Sequence, residues 1–134
     1  MLGSIFSAGY QYGDTKLNVI DLEVAGEDYF KQIIVEVMGS FFLVFMYLSS
    51  TEEKTQFTKD AAVQTIILAG SYLGAMLLAG IKLKIVHASP VNPAIAFAVL
   101  FWNPKESHWA TAPIFVITSF GGSALALIFF RFVY

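Results

Sequence analysis

Few residues in this chain have the type and spacing to do chemistry. Asn92-Pro93-Ala94 lies in the stretch HASPVNPAIAFAV, residues 87–99, inside a strongly apolar region. Proline at a first helical position has its φ pre-set and loses an N–H that would be orphaned anyway. Asparagine just before it is a favoured N-cap, so the pair is on structural grounds alone a good helix start. A helix start carries roughly half a positive charge and unpaired N–H groups. Set in an apolar interior, it would repel cations and protons and offer donors to a neutral molecule. If the loop backbone holds the Asn92 side chain, its amide is one more donor. That chemistry is recognition and filtering, without bond-making. No nucleophile–base pair, carboxylate dyad or cofactor loop is evident in the sequence, and cysteine is absent. The two histidines, His87 and His108, stand far from other ligand types. Neither an enzyme, nor a metal site, nor a cofactor is expected.

The surroundings point to lipid. Of 134 residues 57% are hydrophobic and only 13% charged, against roughly 25% charged in soluble domains. A net charge of −2 does not suggest a nucleic-acid partner. Three stretches reach the roughly 20 apolar residues that a bilayer crossing needs: 33–50, 61–81 and 109–133. TEEKTQFTKD, residues 51–60, reads as a solvated loop between the first two. Trp102, Trp109 and Tyr134 fall near the ends of apolar runs, as interfacial aromatics do. Residues 1–30 read as an acidic N-terminal arm, holding Asp14, Asp21, Glu23, Glu27 and Asp28. It has neither the look of a cleavable signal peptide nor that of a mitochondrial transit peptide.

Residues 86–101 are apolar but too short and too broken for a crossing. An apolar segment of this size reads as re-entrant or interfacial. Irregular backbone at membrane depth is tolerated only where protein buries it or water fills a cavity. The expected architecture is therefore an all-α membrane protein: three transmembrane helices plus one re-entrant half-helix, in a bundle over 31–134. With the N-terminus on the cytoplasmic or matrix-like side, Lys16, Lys31, Lys82, Lys84 and Lys105 share that side. Lys54, Lys59 and Arg131 then lie opposite, which agrees with the positive-inside tendency.

These motifs together resemble the first half of a major intrinsic protein, the family of aquaporins and glycerol facilitators. The likeness covers about 100 residues, from Lys31 onward, in the family's order. VEVMGSFFLVF (35–45) is similar to the family's first helix, VNPAIAFAV (91–99) to its Asn-Pro-Ala loop and half-helix, and TSFGGSALA (118–126) to its third helix. Family members normally carry two inverted halves, and this chain has one. The position after the motif is Ile95, where the family's second half has arginine. The resemblance implies that Glu36 accepts hydrogen bonds from the loop backbone; the alternative is a carboxylate snorkelling to a nearby surface. It implies that Tyr72 stands near a constriction position; the alternative is a tyrosine packed against lipid or a partner helix. The stretch before the motif departs from the family: Ala88 stands where it has glycine, Pro90 where it has histidine, and Thr118 where its third helix has glutamine. Gly70 with Gly74, and Gly122 with Ala126, are spaced to let helix backbones approach.

Three spans and a half-helix cannot enclose a pore, and polar backbone left facing lipid is costly. A partner beyond the bilayer is therefore expected: other membrane subunits or a second half-channel. One reading is an accessory or structural subunit of a larger multi-subunit membrane complex, with an organellar (mitochondrial) inner membrane among the possible homes. The alternative is half of a channel for water or a small neutral solute, completed by a second copy or an arginine-bearing sister. The acidic arm, the missing half and the altered loop favour the first.

Overall fold

The computed structural model describes residues 29–80, 90–102 and 106–134. These form four helices, α1 (Tyr29–Thr51), α2 (Ala61–Gly80), α3 (Pro93–Trp102) and α4 (Glu106–Val133), with no strand among the described residues. Three of them are long and apolar enough to cross a membrane: α1, α2 over Ala61–Ala79 and α4 over Trp109–Val133. Their outer faces carry many large exposed apolar side chains, among them Ile66, Leu73, Ile117 and Phe132. Side chains of that kind suit contact with lipid.

The boundaries differ from expectation at two helix starts. The first helix begins at Tyr29, not Ile33, so residues 29–30 belong to it and not to the arm. Tyr29, Phe30 and Lys31 extend it by one turn, which brings Gln32 inward beneath Glu36. The last helix begins at Glu106, not Trp109, which leaves Pro113 two turns in. Proline cannot donate to the Trp109 carbonyl one turn back, and the ring sits on an exposed face. Residues 1–28 and 81–89, the latter including His87 and most of the expected loop, lie outside the described residues, as does Lys105.

The connection between α1 and α2 is tied by side chains. Asp60 caps α2, its Oδ1 accepting from the backbone amides of Ala62 at 2.8 Å and Val63 at 3.4 Å. The Gln64 amide donates to Ser50 O at 3.1 Å, Gln56 Oε1 at 3.3 Å and Thr58 O at 2.9 Å. This joins the end of α1 to the start of α2 and makes the pair antiparallel. Lys54 and Lys59 are thus at the same end of the bundle as Arg131, in the last turn of α4.

The middle helix of the bundle is α1, with α2 on one side and α4 on the other. Two glycines on different faces of α1 and α4 allow this. A Cβ added to Gly39 would stand 3.1 Å from Ala75 O and 3.2 Å from Ala79 Cβ. One added to Gly122 would stand 2.8 Å from Ser40 Cβ and 3.0 Å from Phe41 N, with Val37 O closer still. Only glycine lets α4 approach the α1 backbone there. Phe41 and Phe45 then stack at 5.9 Å and meet Phe129 edge-on at 5.8 and 5.9 Å, so α1 and α4 run parallel. The expected Gly70–Gly74 contact does not occur among the described residues. Nothing lies within 4 Å of a Cβ on Gly70, and Gly74 meets only Phe42 at an ordinary 3.7 Å. Gly122 and the fully buried Ala126 do face inward.

Candidate functional site around the start of α3

The N-terminus of α3 is held at mid-length of α1. Val91 packs with Ala75 and Ala79, and its Cγ2 would lie 3.6 Å from a Cβ on Gly39. Gly39 stands ten residues after Tyr29 and twelve before Thr51, roughly 15 and 18 Å along the axis at about 1.5 Å per residue. From there α3 runs for ten residues, about 15 Å, packing Ala96, Val99 and Leu100 on Ala112 and Phe115 near the start of α4. It therefore runs toward the end of the bundle that holds Tyr29. Val91 thus stands at mid-length of α1 beside the last turn of α2, and α3 leads from there toward the Tyr29 end.

One stripe of α1 holds the start of α3. Gln32, Glu36 and Ser40 follow one another at intervals of four, the spacing of a single helix face, and all are buried. Glu36 is fully enclosed. Its Oε1 accepts from Gln32 Nε2 at 3.1 Å, and its carboxylate also accepts from the backbone amide of Val91. One turn on, the Ser40 hydroxyl points at the Val91 carbonyl at 3.5 Å. Both backbone polar groups of Val91, on either side of its Cα, are thus met by α1, as buried backbone requires. Val91 itself has φ 46°, a left-handed conformation that a β-branched residue rarely adopts. Such strain persists only where the surroundings over-determine it. Here the Glu36 and Ser40 contacts and the apolar seat on Ala75 and Ala79 do so.

Asn92 follows as the cap. Its Oδ1 accepts from the backbone amide of Ala94 at 2.9 Å, and its carbonyl accepts from Ile95 and Ala96 at 3.0 and 3.2 Å. With the oxygen so engaged, Nδ2 is the remaining donor, and no hydrogen bond joins it to another described residue. Asn92, Pro93 and Ala94 are all half-buried. Tyr72 is half-buried too. It stands one turn before Met76, which packs against the Val91 cluster. No hydrogen bond joins the Tyr72 hydroxyl to another described residue.

Glu36 and Asn92-Pro93-Ala94 are thus brought together through Val91, and Tyr72 is on an adjacent turn without a bond to them. Gln32, Ser40 and the left-handed Val91 are additions that sequence reasoning missed. The four-residue spacing around Glu36 was the available signal. Thr118, Ser119 and Ser123 of α4 turn their hydroxyls back to carbonyls of their own helix at 2.7 to 2.8 Å. Among the described residues no three His, Cys, Asp or Glu side chains are grouped to hold a metal ion. Among the described residues the site can hold the start of α3 and present a neutral donor. No family, no curated protein and no solved structure matches the chain.

Proposed function

We propose that this protein is an aquaporin-like half-bundle, with α3 as a re-entrant half-helix, serving as a structural subunit of a larger membrane assembly. The observation that carries this reading is that α3 starts beside mid-length of α1 and runs from there toward the Tyr29 end of the bundle. In a bilayer that course sets the polar amide of Asn92 at mid-depth. Lipid cannot satisfy that amide, whereas another protein can. The sparse burial of α2, the least covered of the three long helices, is a further support. The test is extraction from native membranes in mild detergent, followed by a native gel. Migration in an assembly much larger than a dimer supports the proposal, and recovery only as monomer or dimer refutes it.

A second reading, half of a channel for water or a small neutral solute, is favoured by the Asn92 side chain. Its oxygen is pinned by the Ala94 amide, which leaves its nitrogen as the side chain's remaining donor. Osmotic swelling of proteoliposomes holding the purified chain separates the two. Permeability above empty vesicles supports the half-channel as a second copy completes it, and none rejects self-sufficiency.

A further inference from the structure

A groove of about 420 Å³ runs between α1 and α4 on their outer side, away from α3. Val37 and Phe41 form one wall, and Leu125, Ile128, Phe129 and Phe132 form the other, with almost no polar surface. On α4 the lining runs from Leu125 to Phe132, about 10 Å, and Gly121, one turn before Leu125, stands in open space. On α1 the lining starts at Val37, near mid-length. The trough thus stays within one half of the span, inside the depth of a single leaflet of the roughly 30 Å hydrocarbon core. A partner helix crossing the membrane would need a seat along the full span.

The outer end has a charge. Arg131, exposed in the last turn of α4 beside Phe132, makes no ion pair with another described residue. Exposed Lys54 and Lys59 belong to the same end of the bundle. A guanidinium suits a phosphate by its planar set of donors, and a long side chain at a span's end reaches the headgroup level.

We infer that the groove holds one acyl chain of a phospholipid whose phosphate rests on Arg131. This depends on the spanning placement of α1 and α4 and not on the function proposed above. The test reconstitutes the full chain in phosphatidylcholine vesicles containing a trace of phospholipid with a photoreactive group at the acyl terminus. Adducts mapped by mass spectrometry are expected to concentrate on Val37, Gly121 and Leu125. Leu125→Trp, which fills the trough, lowers them at least fivefold while the melting temperature stays within a few degrees. Arg131→Gln lowers lipid retention roughly fivefold, as loss of one interfacial cation should. Inorganic phosphate displaces none of the labelled lipid. Adducts spread evenly over Ile66, Leu73 and Leu77 of α2 would make these lipids bulk solvent and overturn the inference. So would displacement by inorganic phosphate, or a protein segment cross-linked into the trough in native membranes.

Discussion

Gly122→Ala, beside Gly121→Ala, is the sharpest test of how the bundle is held together. The two glycines are neighbours in sequence and in helix propensity, so what separates them is packing. An added methyl at 122 meets Ser40 Cβ at 2.8 Å and Phe41 N at 3.0 Å, with Val37 O nearer still. Two of those three contacts are backbone and cannot rotate away. Either α4 moves out from α1 by several tenths of an ångström, loosening the Phe41–Phe45–Phe129 cluster, or strain is retained. Overpacking of this kind costs about 1–3 kcal/mol, and the rigid neighbours place it near the upper end. The methyl at 121 meets nothing within 4 Å, and exchanging glycine for alanine inside a helix is favourable by about 0.5–1 kcal/mol. Thermal melts in detergent, with tryptophan emission as the probe, should show a clear drop for Gly122→Ala and none for Gly121→Ala. Equal melting temperatures for the pair would refute the close α1–α4 approach.

Other expectations follow from the same contacts. Glu36→Ala removes the acceptor for the Val91 amide, costing about 1–3 kcal/mol; Glu36→Gln keeps an oxygen there and should cost markedly less in the same melts. Asp60→Ala removes the cap on α2, about 1 kcal/mol, and hydrogen exchange should quicken at Ala62 and Val63 with little change in α4. Gly70→Leu should leave the purified chain's melting temperature in place, since its Cβ direction is open. If the native assembly nevertheless falls apart on a native gel, the partner sits on α2; an intact assembly places it elsewhere.

What could be read from the residues follows from the physics each pattern reports. The three spans are runs of apolar residues about as long as a bilayer is thick, and such runs need no tertiary information. The start of α3 was legible because Asn92-Pro93 is a local signal, and the helix begins at Pro93. The first turn of α1 was missed because Lys31 and Gln32 look like a surface, whereas Gln32 is buried against Glu36. The Gly70–Gly74 spacing misled because a small-residue pair permits close packing without saying that anything is there. Gly122 was legible as half of the Gly122–Ala126 pair, whereas Gly39 belongs to no such pair, and its role depends on which face α1 turns to α2. The left-handed Val91 could not be read at all, since its conformation is imposed by Glu36, Ser40, Ala75 and Ala79.

The central claim is the path of α3, and depth measurement on single cysteines tests it most directly. The chain has no cysteine of its own, so labels can be placed at Ala94, Phe101, Phe30 and Phe57 one at a time in reconstituted bilayers. The path described here puts Ala94 near the bilayer centre, Phe101 near the surface that Phe30 approaches, and Phe57 at the opposite surface. Equal shallow depths for Ala94 and Phe101, or Phe101 emerging beside Phe57, would contradict it.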